Sequence, residues 1–289
     1  MSPVKPSNSG ISLCAPDFQA SALVIASPHS GRCYFPEFLS MARLNVTALR
    51  RSEDCYVDEL FVDAPSFGVP LICALFPRSF VDVNRSPTEI DWKIFGGTLP
   101  GYVDKQSERV RSGLGVIPRL NASGAEIYPQ SIPISTARKR LLTYYFPYHR
   151  MLRQLLRKTH EQFGHVILLD CHSMPSQLYA GRSEPDFDIV LGDRYGRSCS
   201  PYVIDKVEAV LVGQGYRVAR NAPYAGGFVT KHYGRPEHGV DVLQLEVSRA
   251  LYMDEQTLRR SPGMPQVRAH MASLIDNLAK VQGFSRAAE

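Results

Sequence analysis

Short apolar runs recur along the chain, each closed by glycine, proline or a polar turn. They are ALVIA (22–26), VPLICALF (69–76), FVDVN (80–84), HVILLDCHS (165–173), DIVLG (188–192), YRVARN (216–221) and VLQLEV (242–247). Continuous runs of this length suit strands buried on both faces, as in a parallel sheet. Between them lie stretches of helical spacing. Residues 45–62 carry Leu49, Val57, Leu60 and Phe61 on such a spacing, and 136–163 form a long amphipathic segment. Pro147 should kink or restart that segment, because proline removes a backbone donor. Residues 201–214 and 265–282 read as further helices. Strands alternating with helices predict an α/β layered fold around a mostly parallel sheet.

Residues 1–18 are rich in Ser, Pro and Asn and read as an extended arm, and 19–289 as a single domain. Within it, 86–135 carries little regular signal and many Gly and Pro residues. That is long for a plain loop and predicts a functional insertion over the site.

Composition narrows the classes. The 289 residues are 44% hydrophobic and 21% charged, ordinary for a globular chain. The net charge of +5 is mild and its bases are spread out, which argues against a nucleic-acid binder and suits a small anionic substrate. The six cysteines form no C-x-x-C pair, and Cys73 and Cys171 sit in apolar runs, so a reducing, cytoplasmic setting is expected. The first residues lack the pattern of a signal peptide. No apolar run approaches the roughly 20 residues of a membrane helix, so no membrane partner is expected.

In open α/β sheets, ligands bind outside the carboxyl ends of the strands. The first run ends in Ser27-Pro28-His29-Ser30-Gly31, the fourth in Asp170-Cys171-His172-Ser173, and FVDVN in Asn84-Arg85. His29 and His172 are each either metal ligands or hydrogen-bonded loop residues. Two imidazoles with a nearby carboxylate suit zinc, which in catalytic sites keeps a position for water. In the last run Gln244 and Glu246 face one way and Leu243, Leu245 and Val247 the other. A charge in an apolar strand is functional or paired, and Arg249 is the candidate partner. Cys171 and His172, as strand neighbours, point apart and make no thiolate–imidazolium dyad. G-x-S-x-G, the Walker loop, G-x-G-x-x-G and H-E-x-x-H are all absent from the positions that would matter.

Taken together, SPHSG (27–31), EDCYVDELF (53–61), FVDVNR (80–85), PYHRMLRQLL (147–156), LLDCHSMPS (168–176), GGFVTKHYG (226–234) and LQLEVSRALYMDE (243–255) resemble the N-formylglutamate amidohydrolases. The resemblance runs from about residue 22 to 280. It implies a three-layer α/β/α fold around a mixed, mostly parallel sheet, similar to zinc carboxypeptidases and aspartoacylase. It implies hydrolysis of the formamide of N-formyl-L-glutamate, a step of histidine degradation. By position it makes His29 and His172 zinc ligands, Glu246 the general base, and Asn84 with Arg85 the substrate clamp. The carboxylate that follows the first histidine by three residues in the carboxypeptidases is here Arg32. The third ligand is therefore sought on the 45–62 helix, where Asp54 and Asp58 would share a face, with Asp54 preferred for its place near the helix start. Arg119, Lys231 and His232 are further candidates for binding the substrate, or else surface charges and a packed loop histidine.

Overall fold

The computed structural model of the chain describes residues 10–95, 101, 103–104, 106–176 and 187–281. Seven strands form one sheet: β1 (Ile11–Cys14), β2 (Leu23–Ser27), β3 (Leu71–Ala74), β4 (Val166–Met174), β5 (Ile189–Gly192), β6 (Val218–Arg220) and β7 (Val240–Ser248). Their order is β1-β3-β2-β4-β7-β5-β6. β2 with β4, β4 with β7 and β5 with β6 pair in parallel, and β5 with β7 antiparallel, so the sheet is mixed and mostly parallel. Of the stretch read as an arm, Ile11–Cys14 is thus a strand of this sheet. The two short strands β8 (Met253–Asp254) and β9 (Arg259–Arg260) form a separate hairpin.

Every residue of β2, β4 and β5 is buried, and all of β7 after Val240. Covering on both faces is the physical reason these strands are apolar without alternation. A buried polar residue within them therefore stands out, and there are few.

The helices are α1 (Pro36–Met41), α2 (Val46–Arg50), α3 (Val57–Leu60), α4 (Glu108–Arg111), α5 (Ile134–Arg140), α6 (Phe146–Phe163), α7 (Pro201–Gly213), α8 (Phe228–Tyr233) and α9 (Met264–Ala279). α9 buries Val267, Met271, Leu274, Ile275 and Leu278, one stripe at helical spacing, and packs on α3 and α7. Among the described residues no helix is long and apolar enough to cross a membrane.

The chain contacts define two compact units. Among the described residues, one draws on Met1–Ser12, Pro28–Cys55 and Cys73–Leu152, the other on Leu13–Ser27, Tyr56–Ile72 and Arg153–Glu289.

Two sequence expectations change here. FVDVN (80–84) is not a strand. Phe80 N–H donates to Pro77 O and Asp82 N–H to Val116 O, while Asn84 N–H donates to the Asp82 carboxylate at 2.8 Å, so the segment turns on itself. The alternation of Val81 and Val83 with Asp82 and Asn84 mimicked a strand period. The 45–62 helix is two short helices with a break at 51–56. α2 starts on an Asn45 cap, whose side chain accepts Ala48 N–H at 2.9 Å, and ends after five residues. The break closes at Tyr56, which has a φ of 65°. That left-handed conformation is costly for a residue with a Cβ; it is held by Tyr56 OH donating to Leu258 O at 2.8 Å and by Arg260 over its ring. Asp54 and Asp58 therefore do not share a helix face. Pro147 is the second residue of α6, so the expected restart of the helical segment falls there. A π-helical turn, Leu141–Tyr145, joins α5 to α6 just ahead of it. The wider turn accommodates a residue that has no N–H to donate.

Candidate metal and catalytic site

In the first unit the polar group centres on His29, two residues beyond β2. Gly31 fixes this turn, since any Cβ there would collide with the Phe76 carbonyl, and Cys33 N–H donates to Leu75 O at 2.8 Å. His29 is buried with both ring nitrogens engaged. Nε2 lies 2.7 Å from Asp82 Oδ1, and Nδ1 lies 3.3 Å from Asp54 Oδ2. Asp54 reaches this position from the break between α2 and α3, where its N–H donates to His29 O at 3.1 Å. A loop, rather than a helix face, thus presents the carboxylate.

Asp82 is fully enclosed. It accepts from Arg78 Nη2 at 2.9 Å and from Asn84 N–H at 2.8 Å as well as facing His29. Burial alone pushes its pKa up, but electrostatic attraction to His29, Arg78 and Arg85 outweighs it and holds it well below the usual carboxylate range. Arg85 is buried too. Its Nε donates to Leu114 O at 2.9 Å and its Nη1 to Asn84 O at 2.8 Å, while Nη2 lies 3.9 Å from Asp82 Oδ2. Burial is also the main cause lowering the pKa of its guanidinium. Arg119 Nε donates at 2.8 Å to Asp91, a carboxylate with no exposed surface.

In the second unit four polar residues interrupt the apolar centre of the sheet. The parallel register sets Asp170 beside Gln244 and His172 beside Glu246. Paired residues on adjacent strands share a face, and i and i+2 along a strand share it too. The four therefore form a square on one face near the carboxyl ends of β4 and β7. Along β4, His172 Nε2 lies 3.1 Å from Asp170 Oδ2. Along β7, Gln244 Nε2 donates to Glu246 Oε1 at 2.9 Å. Arg249, the partner suggested for Glu246, donates its Nε to Ser173 Oγ at 3.1 Å. Cys171 lies one residue out of phase, its thiol directed to Leu169 O.

Among the described residues, His29, Asp54 and His172 are the group able to hold a metal ion. Each offers one ligand atom, these atoms lie within 4.8 Å of one another, and all three residues are buried. The donor chemistry fits zinc. Two donors on a tetrahedral zinc ion at about 2.0–2.1 Å stand about 3.3–3.4 Å apart, close to the 3.3 Å between His29 Nδ1 and Asp54 Oδ2. In each histidine Nε2 faces a carboxylate, Asp82 for His29 and Asp170 for His172, so Nδ1 is the nitrogen that would meet an ion. Carboxylate partners of this kind orient metal-ligating imidazoles and raise their basicity.

The sequence profile of the N-formylglutamate amidohydrolase family matches residues 21–253. The chain belongs to that family. An N-formylglutamate deformylase of Pseudomonas aeruginosa is 30% identical over 264 residues, 89% of this chain and 92% of that protein. A second, from Pseudomonas putida, is 29% identical and covers 81% of this chain and 82% of its own. The crystal structure of N-formylglutamate amidohydrolase from Ralstonia eutropha JMP134 superposes with a TM-score of 0.89 at 35% identity, covering 94% of this chain and 98% of that one.

Against this N-formylglutamate amidohydrolase background, the sequence reading passed over Asp82 and Asp170. Asp170 was visible in the spacing Asp-x-His within a strand, which puts carboxylate and imidazole on one face. Asp82 carried no such signal, because its partner His29 lies 53 residues away. Lys231 and His232 lie exposed on α8, a helix the periodicity did not reveal. His232 stacks on Phe228, with ring centroids 4.9 Å apart. Burial, then Arg153 and Arg235, lower its pKa, which favours the neutral ring and hydrogen bonding over charge.

Proposed function

We propose that the chain is a zinc-dependent amidohydrolase that cleaves N-formyl-L-glutamate with water to formate and glutamate, and that it works in the reducing cytoplasm, which the lack of any C-x-x-C pair among its six cysteines suits. The observation that carries the reading is the His29, Asp54 and His172 donor group in a chain of this family, with Glu246 in register beside His172. Zinc, when bound by these three residues, supplies Lewis acidity toward an amide carbonyl and toward water.

Glu246 is the general base. It takes a proton from the attacking water and delivers it to the leaving nitrogen, which cannot depart as an amide anion. Asp82 and Asp170 hold the two imidazoles in the tautomer that presents Nδ1. Arg85 has spent Nε and Nη1 on backbone carbonyls, so Nη2 is the donor it offers to a substrate carboxylate or to the tetrahedral oxyanion. Asn84, Lys231 and His232 complete the substrate contacts in this reading, and Arg119 serves chiefly to neutralise Asp91.

The test is direct. Purified protein should carry about one zinc per chain, lose turnover on chelation and regain it with added zinc. Glu246→Gln should keep fold and zinc while kcat on N-formyl-L-glutamate falls by about 10²–10⁴. Near-normal turnover by the metal-free chain defeats the zinc assignment. Faster turnover of N-acetylglutamate or N-formylaspartate under the same conditions defeats the substrate assignment.

A further inference from the structure

The square on β4 and β7 contains one member that the reaction above does not use. Gln244 is 4% exposed, in the interior of an apolar strand, where an amide is costly to bury without a purpose. Its Nε2 donates to Glu246 Oε1 at 2.9 Å. The reversed amide would set its carbonyl oxygen against the carboxylate, two acceptors face to face, so the chemistry of the pair fixes the amide's orientation. On the neighbouring strand the same spacing recurs: Asp170 holds His172 from two residues upstream, in register with Gln244 and Glu246.

We propose that Gln244 is a positioning residue for Glu246, fixing the carboxylate rotamer that faces the reacting water as Asp170 fixes the ring of His172. This rests on the reading of Glu246 as the base. A glutamate has three side-chain torsions, and fixing its terminal carboxylate removes freedom that would otherwise be lost during the reaction. Gln244 holds one carboxylate oxygen and so orients the group for the proton transfer. Because Gln244 acts through Glu246 in this reading, its loss should act on turnover and not on substrate affinity.

The test is a double-mutant cycle on N-formyl-L-glutamate with zinc content and thermal melting measured on every variant. Gln244→Met, of similar length but without a donor, should lower kcat about 10- to 100-fold with KM changed less than about twofold and zinc content unchanged. In a Glu246→Gln background the same substitution should change the residual kcat less than about threefold. Gln244→Glu keeps the volume and replaces the donor by a like charge, so its kcat should fall at least as far, and it carries the test if Gln244→Met does not fold. A Gln244 variant with unaltered kcat, an equal loss in both backgrounds, or a loss of zinc overturns the proposal. If Glu246→Gln itself turns over normally, the base assignment fails instead, which separates the two ideas.

Discussion

Asp82 is the residue on which the geometry of His29 depends, and removing it gives the sharpest test of the donor group. Asp82→Ala deletes the acceptor 2.7 Å from His29 Nε2, the partner of Arg78 Nη2 and the acceptor of Asn84 N–H. The ring of His29 keeps its place in the chain but loses the bond that sets its tautomer. Loss of such a partner typically costs 10- to 100-fold in metal affinity, or about 1.4–2.8 kcal/mol. A second cost falls on the metal-free fold. His29 Nε2 and the Asn84 N–H each lose the acceptor that Asp82 provides, at about 1–3 kcal/mol each, whereas Arg78 retains some exposure and can turn to water. The metal-free variant should therefore unfold about 3 kcal/mol more easily. Asp82→Asn keeps a neutral acceptor for Asn84, so most of the stability should return while the zinc affinity stays low. Chelator competition at fixed pH, with denaturant melts of the metal-free proteins, measures both quantities. If Asp82→Ala and Asp82→Asn both bind zinc within about threefold of the unaltered chain, the reasoning from His29 Nε2 is wrong.

Three further outcomes follow from other contacts. Asp54→Ala should reduce zinc affinity far more than Asp58→Ala, because Asp54 faces His29 while Asp58 sits on α3; chelator competition on the pair checks this. Arg119→Met should destabilise the fold by about 3 kcal/mol in denaturant melts, since it strands the buried Asp91 without its cation, while KM for N-formyl-L-glutamate changes less than about twofold. Asp188 binds Arg217 through both carboxylate oxygens, and those hydrogen bonds are the main cause holding its pKa below the ordinary carboxylate value. Its stabilisation is therefore complete above the unfolded pKa of about 4 and is lost as pH falls through the lower folded value. Asp188→Asn should cost about 1 kcal/mol at neutral pH after allowing for the water around Arg217, and almost nothing at the acid end, as read from melts across pH.

The strands were legible in the sequence because both faces are covered, so apolar runs ending in polar turns located β2, β4, β5 and β7 almost to the residue. The same logic misread FVDVN, since a turn built around Asp82 happens to alternate. The helix over 45–62 failed for a related reason. Eight positions separate Leu49 from Val57, and Ser52 and Glu53 stand where the next turn of the helical stripe would need apolar residues, which was the sign of the break. His29, His172 and Glu246 could be picked out because imidazole and carboxylate at strand ends are chemically conspicuous. Asp82 could not, because a loop-to-loop pairing between distant segments leaves no periodic trace. Asp54 was reached by the wrong route, as a helical residue, though the carboxylate does face His29.

The nine-pair parallel register of β4 and β7 also limits how this chain can change in length. A strand reverses direction at every residue, so inserting a single residue between Asp170 and His172 would send one of them to the opposite side of the sheet. Inserting two would restore the side but displace the histidine by roughly 6.6 Å, beyond the reach of the aspartate. The same holds for Gln244 and Glu246. The intervals Asp-x-His and Gln-x-Glu thus act as fixed gauges, open to exchange of the middle residue but closed to insertion or deletion, while the loops that lead into β4 and β7 are free of that restriction.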